Sequence, residues 1–272
     1  PIMGYAARID LDNVPKPHTT MWYGRGANPV AMIRTRWDGS DDDVYLAVKG
    51  GTASNNHSHM DAGSFVFESQ GVRWACDLGN QKYAPLEIAM KKMQKNLFDR
   101  SQNSGRWMVM RYNNYHHNTI TLNDNLHNVK GKASFTEIID SETEKGVVID
   151  MTEVLQNDAA SATRTVKLVN EKDLVVYDRV QASEEQSVDY TWRMVTNGEP
   201  VVKKKMIILN AEGKTMYLKA KSNVNFKYVT WSAEPKAEYD DPNEGKYIVG
   251  IQAQIPLGET ADFKVVLTPD EK

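Results

Sequence analysis

The chain has almost no cysteine. Cys76 is alone among 272 residues, so no disulfide can close within the chain, and cysteine count leaves the redox compartment open. There is no run near the ~18 apolar residues that a membrane-spanning helix needs, and no secretory-signal pattern. The opening "PIMGYAARIDLDNVPKP" has neither an initiator Met nor an obvious N-terminal domain. It reads as part of something longer or as a processed product, so the missing signal carries no information about export. Charge of neither sign dominates: 33 Lys and Arg stand against 36 Asp and Glu, for a net charge of −3. That balance excludes a general nucleic-acid binder. The one basic run, Lys203 to Lys205, adjoins strand-like sequence and reads as a solvated edge that discourages strand pairing. No fixed-period repeat points to a propeller or solenoid.

What the chain has in quantity is β pattern. Short runs rich in Val, Ile, Thr, Tyr, Phe and Trp recur from "VYLAVKGG" through "SFVFES", "VRWACDL", "RWMVMRY", "NTITLN", "GVVIDMTEV" and "DLVVYDRVQ" to "KYIVGIQAQI" and "DFKVVLTP". "ESQGV", "VNEKDL" and "NAEGKT" read as hairpin turns between them. One stretch differs. "APLEIAMKKMQKNLFDRS", residues 84–101, sets Leu86, Met90, Met93 and Leu97 on one helical face with lysines opposite. Many strands with a single short helical excursion predict an all-β fold, a large antiparallel β-sandwich. A weak composition change near "TNGEPVVKKK" divides residues 1–200 from 201–272, which are either strands of the same domain or a small appended β unit. Cys76, Trp192 and Trp231 read as core, and His18 and His127 as surface.

Candidate ligands and acid/base groups concentrate in the first half: His57, His59, Asp61, Asp77, His116 and His117. In "NNHSHMDAGSF" the H-x-H pair has period-two spacing, which on a strand turns both imidazoles to one side. Asp77 ends one strand run, and His116 and His117 precede another. Two imidazoles and a carboxylate are a ligand set zinc accepts, with one position left for water or substrate. No compact motif such as H-E-x-x-H is present, and hydrogen-bonded turn histidines are the competing reading. Adjacent histidines on a strand point to opposite faces, so spacing alone does not choose between His116 and His117. Arg111, Tyr83 and Trp74 flank this constellation. Arg can pair a sugar carboxylate and Trp can stack on a sugar ring.

"KGGTASNNHSHMDAGSFVFESQGVRWACDLGNQKY", continued by "DRSQNSGRWMVMRYNNYHHNTITLN", resembles the C-terminal β-sandwich of the heparinase II/III family of polysaccharide lyases, most specifically over residues 30–125. The resemblance implies a metal, usually zinc with calcium the lesser choice, held by the second His of N-H-x-H, the Asp of D-L-G and the His before N-T: His59, Asp77 and His117. It assigns the first histidine of that motif, His57, to the catalytic cleft. Arg111, Tyr83 and Trp74 become candidate substrate contacts. The implied reaction is β-elimination on a uronic-acid polysaccharide, glycosaminoglycan-like or alginate-like. The family's catalytic Tyr, and an Asn that helps bind the carboxylate, belong to an N-terminal helical toroid that residues 1–50 do not resemble, so the fragment alone is expected to be inactive. A periplasmic, cell-surface or secreted location and a homodimer are further expectations of the resemblance. The competing reading is a non-catalytic carbohydrate-binding or structural β-sandwich stiffened by a metal. A cupin-like metal oxygenase would fit His-x-His but lacks that family's wider pattern.

Overall fold

The computed structural model describes residues 13–15 and 17–271, and within them the fold is three antiparallel sheets around a shared core. The first sheet has five strands in sequence order: β1 (Met21–Gly24), β2 (Val30–Arg34), β3 (Tyr45–Lys49), β4 (Phe65–Ser69) and β5 (Val72–Ala75). A four-stranded sheet contains β6 (Ile120–Leu122), β11 (Val188–Thr196), β15 (Phe226–Ser232) and β16 (Tyr247–Ile255) in the order β15-β16-β11-β6. The eight-stranded sheet contains β7 (Ser134–Asp140), β8 (Glu144–Asp150), β9 (Ser161–Val169), β10 (Asp173–Gln181), β12 (Glu199–Val202), β13 (Ile207–Ala211), β14 (Lys214–Ser222) and β17 (Thr260–Thr268). Its order is β12-β13-β14-β17-β10-β9-β8-β7.

Side-chain alternation explains the sandwich. Along β9, buried positions alternate with half-buried ones, and Ala162, Val166 and Leu168 point into the core. The four-stranded sheet faces the same core through Trp192 and through Tyr190, whose ring stacks on Phe263 of β17 at 3.8 Å. An isolated bridge between Cys76 and Val195 ties the five-stranded sheet to the four-stranded one. Cys76 is buried, as expected, and burial pushes its thiol up.

The hairpin turns form where the sequence marks them. Gln70-Gly71, Asn170-Glu171 and Glu212-Gly213 each carry two successive positive φ angles, the conformation that matches the twist of a two-residue hairpin. Strands after residue 200 are not set apart from those before: β14 and β17 pair in the eight-stranded sheet, where β17 also pairs β10, and β16 pairs β11. Lys203 to Lys205 follow the edge strand β12 and are exposed.

Several expectations need correction. The helical excursion is α1 (Tyr83–Lys92), and it stops at Met93. Leu86 and Met90 are buried as predicted, but Met93 faces outward and Leu97 reaches the interior from the turn that follows. "RWMVMRY" is not a strand. Ser104 accepts from the N–H of Arg106 and opens a 3-10 turn at Gly105–Met108, and the buried Asp240 carboxylate takes the N–H of Met110. A local acceptor, Ser104, and a distant one, Asp240, replace a ladder partner. Trp231 is only half-buried, at the outer end of β15. His18 is exposed, but His127 is enclosed: its Nε2 pairs with the carbonyl of Ile120 at 2.8 Å, and burial pushes its pKa down to about 4.

Candidate functional site

Three connections carry the site. His57 and His59 lie between β3 and β4, Asp77 lies two residues beyond β5, and His117 lies three residues before β6. A 3-10 turn at Asn114–His116 aims His117, with Asn113 as its cap. His117 is fully buried, and its Nδ1 meets Oδ2 of Asp77 at 2.7 Å. The other carboxylate oxygen of Asp77 accepts from the Gly79 N–H at 2.7 Å. The ring of His59 lies 5.5 Å from that of His117 and 4.4 Å from that of Tyr112.

The electrostatics follow from this packing. Burial, with His117 and Arg106 nearby, pushes His59 down to about 3, so its imidazole is neutral at working pH. Burial works against charge on both His117 and Asp77, but their mutual attraction and hydrogen bond outweigh it. His117 is therefore raised, and Asp77 is held below the usual carboxylate range. Nε2 of His117 is buried and has no partner among the described residues. Among the described residues, no three His, Cys, Asp or Glu side chains form a ready-made metal cage. The donor chemistry nevertheless suits zinc: a neutral imidazole, an ionised carboxylate and a second imidazole with an unpaired nitrogen stand side by side.

His57 is separate from this set. It sits at φ 61, an uncommon conformation for a residue with a side chain, and its ring is exposed. Its Nδ1 and the Tyr83 hydroxyl are 2.9 Å apart, and the two rings lie almost parallel. Tyr83 is the first residue of α1, so the helix delivers that hydroxyl. Asp61, two residues beyond His59, is neutralised by Lys49 at 2.5 Å.

The other candidates are elsewhere engaged. Arg111 donates to Asn243 Oδ1 and to the carbonyls of Asn80 and Pro242, so its guanidinium braces a loop. Trp74 is wholly within the core, its indole N–H on the Ser69 carbonyl, and it offers no face to a sugar. His116 turns from His117 and meets Asn113 Oδ1 at 2.9 Å.

Three residues not singled out from the sequence hold the site together. Asn118 donates to the carbonyls of Phe65 and Cys76 and accepts from the Val195 N–H, joining β4, β5 and β11 beside His117. Arg164, inward on β9, forks onto Asp178 at 2.7 and 2.8 Å and donates to the carbonyls of Gly63 and Asn118. It therefore clamps the His59 loop to the His117 segment. Arg106 lies 4.5 Å over the Tyr112 ring and donates to the Ser58 carbonyl, between the two loop histidines. The inward position of Arg164 in an alternating strand was its one sequence signal.

Fold and site together define a β-sandwich domain whose loop histidines and strand-end carboxylate are gathered at one place. A family model for the heparinase II/III-like C-terminal domain matches residues 31–266, and the chain belongs to that family, a family of polysaccharide lyases. Among solved structures it is similar to the heparinase III BT4657 gene product at 17% identity and a TM-score of 0.71, covering 94% of this chain and 37% of that one. It is also similar to a structure of heparinase III at 15% identity and a TM-score of 0.68, covering 93% and 37%. A mutant of heparan sulfate lyase HepC from Pedobacter heparinus is similar at 16% identity and a TM-score of 0.67, covering 93% and 36%. The chain thus spans little more than a third of the length of these structures. No curated protein matches.

Proposed function

We propose that this chain is the C-terminal β-sandwich part of a polysaccharide lyase that cleaves a uronic-acid-containing polysaccharide by β-elimination. The observation that carries the reading is the exposed His57, held on a left-handed backbone and hydrogen-bonded to Tyr83, two residues along the loop from the half-buried His59, whose ring faces that of the enclosed His117 and its partner Asp77.

In β-elimination a base takes the C5 proton of the uronate, the C4–O4 bond breaks, a C4=C5 double bond forms, and an acid protonates the departing O4. The carboxylate beside C5 must be neutralised for that proton to be acidic. With Nδ1 engaged by Tyr83, His57 turns its other ring nitrogen to the substrate as base or carboxylate neutraliser, a role suited to an imidazole. Tyr83 orients that ring and contacts substrate at the cleft edge. Zinc would be held by His59, Asp77 and His117 and would supply a structural clamp on the loop bearing His57. The remaining groups, a catalytic Tyr and an Asn for the carboxylate, would come from a helical toroid of the same protein. A periplasmic or cell-surface location and a homodimer go with this reading. Among the described residues no helix is long and apolar enough to cross a membrane.

The test is His57→Ala in the full-length protein, with unsaturated product followed by ultraviolet absorbance. Loss of turnover with metal content unchanged supports the lyase. Intact turnover would make the β-sandwich a scaffold or carbohydrate-binding module instead.

A further inference from the structure

A second cleft, of about 670 Å³, opens beside the 3-10 turn that ends at His116. It is lined by Tyr115, His116, Asp124, Arg193, Trp231 and Lys236, among others, and by none of His57, His59, Tyr83, Asp77 or His117. Arg193 is its unusual member. The guanidinium lies 4.9 Å over the Trp231 ring and 5.8 Å from that of Tyr115, and its side chain is only 9% exposed. Its Nη1 has no hydrogen-bond partner among the described residues. Among the described residues the one carboxylate that reaches it is Asp124, whose Oδ1 is 3.4 Å from Nη2 on a side chain 75% exposed. Glu234, the other acidic residue of the lining, is exposed and makes no ion pair with Arg193.

A largely buried cation is costly unless a well-placed anion balances it. Asp124 is a poor balance: it is at the far limit of hydrogen-bond distance and its side chain is largely in water. Burial accordingly pulls Arg193 below its ordinary pKa. Lys236 adds a second, exposed positive charge at the same opening. An arginine lying over two aromatic rings with one nitrogen unpaired suits a planar or oxygen-rich anion.

We propose that this cleft is a separate anion subsite that takes the carboxylate or sulfate group of an acidic sugar. Arg193 supplies the buried charge, Lys236 the outer one, and Asp124 occupies the position of the ligand's anionic group until it is displaced. The anionic group follows from the cleft, whereas the sugar rests on the reading of an acidic polysaccharide as substrate.

The probe is a heparan sulfate tetrasaccharide, titrated into the chain while the Trp231 indole N–H resonance is followed and assigned by its loss in Trp231→Phe. The tetrasaccharide should shift that resonance. Asp124→Asn should bind about 3-fold tighter, since the competing carboxylate is gone, and Arg193→Met at least about tenfold weaker. A desulfated probe with intact carboxylates and a carboxyl-reduced probe with intact sulfates identify which group binds, and a probe lacking both should leave the resonance unmoved. The proposal is overturned if the anionic probe does not move Trp231, if the uncharged probe moves it equally, or if Asp124→Asn, an exposed change that leaves the core untouched, does not alter affinity. Failure here leaves the loss of turnover expected in His57→Ala unaffected, whereas failure of the lyase reading, intact turnover in His57→Ala, leaves this anion site in place.

Discussion

Asn118 commits its whole carboxamide to three backbone groups, the carbonyls of Phe65 and Cys76 and the N–H of Val195. Asn118→Ala would leave all three buried and unpaired, at about 1–3 kcal/mol each before relaxation. The expected result is a loss of several kcal/mol in urea unfolding. Asn118→Asp should also destabilise, because a carboxylate would then face two carbonyl oxygens. A change under about 1 kcal/mol in both variants would contradict this role. At this scale the sequence was legible for titratable residues and opaque for their supports. His59, Asp77 and His117 stood out as the residue types that bind metals. Asn118 and Arg164 are polar residues in strand pattern, where the ordinary expectation is exposure. Trp74 and His127 misled for a related reason: neither flanking a site in sequence nor having polar neighbours says which way a side chain turns.

The paired strands β11 and β16 approach closely where Gly250 lies opposite Arg193. A Cβ at Gly250 would fall 1.9 Å from the Trp192 carbonyl oxygen. Gly250→Ala must therefore push the two strands apart under the buried Trp192, and a loss of about 2 kcal/mol or more is expected by thermal or urea unfolding. A variant as stable as the parent would mean the pair accommodates the methyl by a shift the structure does not anticipate. The hairpins of the central strands were readable because turn chemistry and alternation agree. Four strands, β1, β2, β7 and β12, were not singled out. Of these β1, β7 and β12 lie at sheet edges, where one side is unpaired and the apolar signal is weak. The opposite error, a strand at "RWMVMRY", arose because its apolar residues pack against α1 and its neighbours rather than across a ladder: Trp107, Val109 and Tyr112 share a small core with Leu86 and Met90.

Across the whole molecule, buried neutral histidines make stability depend on pH. His59 and His116 are pushed down to about 3 and His127 to about 4. In the unfolded chain each binds a proton near pH 6.5. Below that pH the unfolded state holds more protons than the folded one, so stability falls as pH drops from about 6.5 toward 4. Asp77, held low, adds to the loss at more acid pH as its carboxylate protonates. His117 acts the other way: its raised value adds stability below pH 6.5 that is lost as pH rises through its folded value. Three depressed groups against one raised group predict a lower melting temperature of the metal-free chain at pH 4.5 than at pH 7.5. A flat or inverted profile would contradict the neutral burial of these histidines.

The sandwich itself was legible at this scale, because strand number and the near absence of helix determine class. The gathering of His59, Asp77 and His117 was legible only as a candidate ligand set, since it depends on β3–β4, β5 and β6 meeting through long-range pairing, and spacing left His116 and His117 undecided. The most direct test is elemental analysis of the purified chain, stripped with chelator and reloaded with zinc, beside His59→Ala, Asp77→Ala and His117→Ala. The parent should bind about one equivalent of zinc, and all three variants should lose it. No bound metal in the folded parent, or zinc that survives the removal of His117, would contradict this expectation.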